Sequence, residues 1–293
     1  MSSADYPLVS ILVANFNNGR FIAETLASAA KQTYPNTEIV VVDDGSEDDS
    51  LAVVGDFMAT HPEVRIRLFK NSDNKGCGRI KRQCVELSEG EYFCFLDPED
   101  TILPEAVETL MAVFKDYPEC GLVYSTHYLC NEKLEPQGVS DYPGLIPKGQ
   151  SHLTSTAGHI SALALCNRRV YEKTSGINPA YLVAEDQDLY LKMEEQAPVV
   201  FVNQPLYYYR KHDHNMSWNE QRRARNTYYR HCARSAAYHR RRCKGAVPNL
   251  TRREYHKECL SCHLQLRRYY HDKGSYLKAF WQIILSIPYC YTL

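Results

Sequence analysis

The sequence of 293 residues predicts an α/β fold: an open, mostly parallel sheet flanked by helices and followed by a C-terminal helical extension. Two patterns predict it. Between residues 9 and 115, short apolar runs alternate with segments whose apolar residues recur at helical spacing, which implies parallel strands joined by right-handed crossovers. After residue 217 the strand-like runs cease, and the chain turns helical and basic. With 44% hydrophobic residues it can bury the core of one large domain and a smaller appendage, drawn here at 1–217 and 218–293.

The elements follow in order. Residues 9–13 (V-S-I-L-V) form the first strand run, ended by the turn formers Asn15, Asn17, Asn18 and Gly19 around Phe16. Ile22, Leu26, Ala29 and Ala30 mark a helix that Pro35 and Asn36 close. Residues 39–42 are a second strand running into the tight turn Asp43-Asp44-Gly45-Ser46. A helix over 51–60, a strand over 64–69, a loop over 71–78 and a short basic helix over 79–87 come next. Residues 92–96 (Y-F-C-F-L) are apolar throughout, as a strand buried on both faces must be, and Pro98 stops them. Beyond lie helices over 103–114 and 167–173, strands over 121–130, 160–166, 199–202 and 206–209, and a helix opened by Glu185-Asp186-Gln187-Asp188. The stretch 131–156, rich in Pro and Gly, is too long for a simple connection and reads as a functional or mobile loop.

Open α/β sheets bind ligands outside the carboxyl ends of their strands. That places Asn15 to Asn17, Asp44, the 74–81 loop and Asp97 to Asp100 along one edge. Asp97, Glu99 and Asp100 repel one another there unless a cation neutralises them, and oxygen ligands suit magnesium or manganese. The alternative is an acidic loop in which one acid caps the helix near Pro104.

The ordered set V-S-I-L-V-A-N-F-N-N, Q-T-Y-P-N-T-E-I-V-V-V-D-D-G-S, E-L-S-E-G-E-Y-F-C-F-L-D, A-E-D-Q-D-L-Y-L-K-M and Y-R-K-H resembles the family 2 glycosyltransferases of the Rossmann-like GT-A fold, over roughly residues 7–217. The resemblance implies an inverting transfer of one sugar from a nucleotide diphosphate sugar, UDP-linked, to a hydroxyl of a glycan or lipid-linked acceptor, in cell-surface polysaccharide or lipopolysaccharide synthesis. It implies that Ala14 and Phe16 line the nucleoside pocket, that Asp44 accepts a hydrogen bond from the base, and that Lys81, Asp97 and His212 lie near the donor phosphates. Lys81 stands where the family usually has arginine, so it offers a point charge rather than a two-pronged contact. The family's D-x-D is here Asp97-Pro98-Glu99 followed by Asp100, and Mn or Mg is the implied cofactor. The catalytic base falls on Asp186, with Glu185 holding its neighbours. The Q-x-x-R-W motif and membrane spans of processive synthases are absent, which points to addition of a single sugar.

Two other readings compete. A sugar nucleotidyltransferase would want a glycine-rich phosphate loop after the first strand, where residues 15–20 supply one glycine and Arg20. A non-catalytic nucleotide-sugar or polysaccharide binding module would not need both Asp186 and Asp97.

The formal net charge of -1 conceals a basic segment after residue 210, including Arg222, Arg223, Arg225, Arg230, Arg234, Arg240, Arg241, Arg242, Lys244, Arg252, Arg253, Lys257, Arg267 and Arg268. No nucleic-acid motif accompanies it, so nucleic acid is not an expected partner. The remaining readings are a solvated helical face or attraction to anionic lipid, the latter helped by the apolar stretch 276–285. The 11 scattered cysteines read as reduced thiols, and Cys259, Cys262 and His263 as packed helix residues rather than a zinc half-site. The expected location is cytoplasmic, peripheral at the inner face of the membrane.

Overall fold

In the computed structural model, residues 6–212, 220–243 and 252–290 are described. The first half alternates as the periodicity predicts: β1 (Val9–Asn15), α1 (Ile22–Ala30), β2 (Thr37–Asp43), α2 (Ser50–Thr60), β3 (Ile66–Lys70), α3 (Cys77–Leu87) and β4 (Tyr92–Phe95). These strands pair in parallel in the order β3-β2-β1-β4, so all four carboxyl ends open on one edge. Their period of two sorts the core into layers. Val9, Ile11, Val13, Ile39 and Val41 pack with α1 and α2 on one face, whereas Leu12, Val40, Val42 and Phe93 pack with α3 on the other.

The second half is mixed. After β5 (Thr101–Ile102) and α4 (Ala106–Asp116) come β6 (Leu122–Cys130), β7 (Pro136–Val139), β8 (Ala164–Asn167), α5 (Arg168–Tyr171), α6 (Glu185–Glu194) and β9 (Val199–Arg210). The sheet continues β4-β8-β6-β9-β5, with β7 on β6; β8 is antiparallel to both its neighbours, and β9 is parallel to β6. Two features differ from the sequence reading. The two strands expected around Pro205 are one, because β9 absorbs the proline by bulging against β6 on either side of the Thr126 pairing. The strand expected over 160–166 begins only at Ala164, while Ile160 stays buried within the preceding loop.

The extension consists of α7 (Glu220–Cys243), α8 (Arg252–Asp272) and α9 (Tyr276–Cys290). Helix α7 is anchored to α6 by ion pairs: Arg240 grips Glu195 at 2.7 and 2.9 Å, and Arg241 reaches Glu194 at 2.7 Å and Ser151 Oγ at 2.8 Å. These two arginines are therefore not a solvated face. The side chains of Arg222, Arg223, Arg242 and Arg252, and all of His214 and Lys244, lie outside the described residues. Cys259 packs with Leu153, Tyr181 and Ala233, and His263 stacks on Tyr289, as expected for packed helix residues. The ten described cysteines are free thiols. Among the described residues, no helix is long and apolar enough to cross a membrane.

Candidate functional site

The turn after β2 divides its two acids by role. Asp43 accepts from Asn15 Nδ2 at 2.8 Å, Ser46 N at 2.9 Å and Ser46 Oγ at 2.6 Å, and so it holds the turn. Asp44, also buried, accepts from Asn71 Nδ2, Lys75 N and Gly76 N, each at 2.9 Å. A carboxylate offers about four lone-pair sites, so one remains on Asp44. Gly76 permits this geometry because its φ of 91° lies where a side chain is strained. Phe16 stands 41% exposed and half-buried Ala14 is at the carboxyl end of β1, both at the edge where Asp44 lies.

Helix α3 begins against the 178–181 segment. Gly78 N donates to Tyr181 O at 2.9 Å, and a Cβ at Gly78 would meet Asn178 O at 2.4 Å, so only glycine allows the approach. One turn on, Lys81 Nζ lies 2.9 Å from Glu185 Oε1 and 3.4 Å from Asp97 Oδ1, above the Phe95 ring. This contact joins the turn after β4 to the start of α6. Burial pulls the Lys81 pKa down, but Asp97 and Glu185 together hold it well above the ordinary lysine value. Glu185 moves the other way: burial raises it, yet Lys81 brings it below the usual glutamate value. Arg79 is exposed and Arg82 pairs with Glu86, so Lys81 is the cation α3 directs to this edge.

The acids after β4 separate. Asp97 keeps its side chain 45% exposed. Glu99 lies 3.4 Å from His212 Nε2, and the His212 ring packs on Phe21. Asp100 turns inward: its oxygens accept from Tyr207 Oη at 2.6 Å and Arg210 N at 2.7 Å, and burial with the nearby Asp97 charge pushes its carboxyl well above the usual range. Buried Arg210 braces the same turn, donating to Glu99 O, Glu132 O and Glu24 Oε2 at 2.6 to 2.7 Å. Among the described residues, no group of three or more His, Cys, Asp or Glu is arranged to hold a metal. Of the three acids, Asp97 and Glu99 keep side-chain exposure while Asp100 is buried; magnesium and manganese need only one or two protein carboxylates where substrate phosphates complete the shell.

Helix α6 starts under strain. Its N-cap Ala184 sits in the left-handed region at φ 59°, a conformation that costs about 1 kcal/mol for alanine and recurs at functional sites. Asp186 follows in the first turn, with Oδ1 accepting from Gln187 N at 2.8 Å. Burial, then the Glu185 charge, raise the Asp186 carboxyl above its usual value, against the pull of Lys81 and Arg230. Asp188 faces away, in a buried ion pair of 2.5 Å with Lys192.

Beside Asp186 lies a cavity of about 160 Å³ lined by Tyr142, His152, His159, Gln187, Arg230 and Arg234. The stretch 131–156 supplies one wall, and α7 the opposite one. Sequence reading assigned Arg230 and Arg234 to a general basic face and singled out neither Tyr142 nor the two histidines. The i, i+4 spacing of Arg230 and Arg234 on α7 was the available signal. Arg20, the cation a nucleotidyltransferase loop would use, is instead paired with Glu132 at 2.7 Å.

The model for "Glycosyl transferase family 2" matches residues 10–174. The chain is 31% identical over 217 residues to a chondroitin synthase of Escherichia coli, covering 72% of this chain and 30% of that one. A hyaluronan synthase of Pasteurella multocida is 28% identical over 212 residues, covering 72% of this chain and 21% of its own. The chain thus spans less than a third of these curated relatives. Among solved structures, S. aureus TarS 1-349 in complex with UDP-GlcNAc superposes with a TM-score of 0.62 at 18% identity, covering 96% of this chain and 88% of that one. At that identity the likeness concerns the fold.

Proposed function

From a chain that belongs to glycosyl transferase family 2 and carries the GT-A fold, we infer an inverting transfer of a single hexose or N-acetylhexosamine from a UDP-sugar to a hydroxyl of a glycan or lipid-linked acceptor, in cell-surface polysaccharide or lipopolysaccharide assembly. The observation that carries this reading is Lys81, held between Asp97 of the metal turn and Glu185 beside Asp186. One cation there links the donor-phosphate side of the edge to the proton-accepting side.

In this reading Phe16 packs on the base beside Ala14, and the remaining lone pair of Asp44 accepts the imide N–H of uracil. Asp97 and Glu99 would hold Mn or Mg, with His212 next to Glu99, while Asp100 fixes the turn through Tyr207 and Arg210. Such an ion, when bound, would supply positive charge against the leaving diphosphate. Lys81 adds a second positive charge on the same side. Asp186 takes the acceptor proton as the hydroxyl attacks, and Glu185 keeps Lys81 in place. Support for a UDP-linked donor comes from the TarS complex, and support for a metal from the mannosyltransferase PcManGT of Pyrobaculum calidifontis, bound to GDP-Man and Mn2+, which shares the fold at a TM-score of 0.58 and 14% identity. Residues 1–217 would form the catalytic domain and 218–293 the extension, which lends Arg230 and Arg234 to the acceptor side.

The test is UDP release from a panel of UDP-sugars with Mn2+ and with chelator. Release that needs the ion and is lost in Asp97→Ala upholds the reading; ion-independent binding and release would overturn the metal assignment.

We also infer a cytoplasmic protein held peripherally at the inner face of an anionic membrane. Helix α9 exposes Leu277, Phe280 and Trp281 at 78, 59 and 54%, with exposed Lys257, Arg267 and Arg268 on α8. Flotation with phosphatidylserine vesicles should show binding that fades as salt rises. Failure to bind those vesicles at low salt contradicts this placement.

A further inference from the structure

We propose that the cavity beside Asp186 binds an anionic group of the acceptor, a carboxylate or a phosphate, through Arg230 and Arg234. This rests on the transfer reading of Asp186 and adds to it the chemical class of the acceptor.

Size comes first. A space of about 160 Å³ equals several water molecules at about 30 Å³ each, enough for an oxyanion and part of the sugar that bears it. Its charge is set by α7. Arg240 and Arg241, further along the same helix, are engaged by Glu195 and Glu194, whereas the cavity itself is lined by Arg230 and Arg234. Arg230 forms no ion pair among the described residues; its guanidinium lies 5.8 Å from the Tyr142 ring centroid, which orients the fork without using its donors. Arg234 lines the same cavity, with one nitrogen on Leu153 O.

The histidines add no compensating negative charge and little positive charge. His152 accepts from Ile160 N at Nδ1, leaving its Nε2 hydrogen for Gln187 Oε1 at 3.1 Å, which describes a neutral ring. His159 stacks on Tyr142 at 4.9 Å. Asp186 lies close enough to feel the Arg230 charge, and it is adjacent in sequence to Gln187 of the cavity wall. An oxyanion seated between the arginines would therefore keep an acceptor within reach of the base, and it would offset the attraction of Arg230 for Asp186. Paired guanidinium donors match planar or tetrahedral oxyanions and give a neutral sugar no such advantage.

The experiment uses the full chain and three probes without donor: methyl β-glucuronide, glycerol 1-phosphate and methyl β-glucoside, each titrated by calorimetry into wild type, Arg230→Ala and Arg234→Ala. One of the two anions should bind in the millimolar range, about tenfold more weakly in Arg230→Ala, and the glucoside should not bind. Which anion binds tells a uronate acceptor from a phosphate one. Arg230 is exposed, so its alanine variant should fold, as thermal melting would verify. Binding of neither anion, equal binding by the glucoside, or unchanged affinity in both variants would overturn the proposal. UDP release is scored separately: anion binding lost in Arg230→Ala upholds the cavity assignment even where no UDP-sugar is turned over, an outcome that would count against the transfer reading alone.

Discussion

Asp186 is a carboxyl group whose surroundings hold its proton more tightly than water would. Burial acts first and the adjacent Glu185 charge second, and the folded value stays above the ordinary 3.8 although Lys81 and Arg230 oppose both. A base shifted toward the working pH is better matched to its task. Two consequences follow in sign. Activity should be complete above the folded pKa and lost as pH falls through it, so the acidic limb of kcat/KM should lie above the usual aspartate range. The raised value also means that the folded state binds more protons, so ionised Asp186 lowers stability at neutral pH and the penalty vanishes only below the unfolded pKa. Asp186→Asn should therefore melt higher than wild type, by about 2–4 °C for each kcal/mol relieved; a lower Tm in that variant contradicts the assigned environment. Lys81 has the opposite sign, contributing stability that is present below 10.5 and lost as pH rises through its higher folded value. The position of Asp186 was legible in A-E-D-Q-D, but its pairing environment was not. Lys81 and Glu185 meet only because α3 packs on the 178–181 segment, and no local pattern encodes that contact.

The acidic turn after β4, proposed to hold the metal, is held by elements rather than by its own residues. Arg210 at the end of β9 reaches Glu99 O, Glu132 O and Glu24, while its own N–H and Tyr207 occupy Asp100. Arg210→Ala should lower stability by about 3 kcal/mol, the low end for breaking a buried pair, because Glu24 keeps 58% of its side chain in solvent. It should also weaken UDP binding more in Mn2+ than in chelator, since it loosens Glu99; equal weakening in both would detach Arg210 from the metal turn. The sequence displayed the three acids but not which of them faces outward. That choice depends on the β5–β9 pairing, and β5 is two residues long, too short to leave a periodic signal. The four parallel strands were legible because each is a β-branched or aromatic run ended by turn formers. Four-residue β7, with Pro136 and Gly138, reads as a loop for the same reason in reverse.

At the scale of the whole molecule, one sheet edge gathers residues from distant parts of the chain: Phe16 and Asp44 at one end, Lys81 with Asp97 in the middle, and Asp186 with the arginines of α7 at the other. Under the proposed transfer, that order would run from nucleobase to diphosphate to acceptor. The extension closes the Asp186 end, and its docking on α6 through Arg240 and Arg241 explains why a segment that read as a solvated basic face contributes to a cavity instead. The central claim is that Asp186 alone accepts the acceptor proton while the donor is bound elsewhere along the edge. The most direct measurement compares wild type, Asp186→Asn and Glu185→Gln for turnover with the UDP-sugar that supports release, alongside UDP affinity by calorimetry. A general base contributes about 10²- to 10⁴-fold, so Asp186→Asn should lose that much in kcat and bind UDP as wild type does. Full turnover by Asp186→Asn, with Glu185→Gln inactive in its place, would contradict the account.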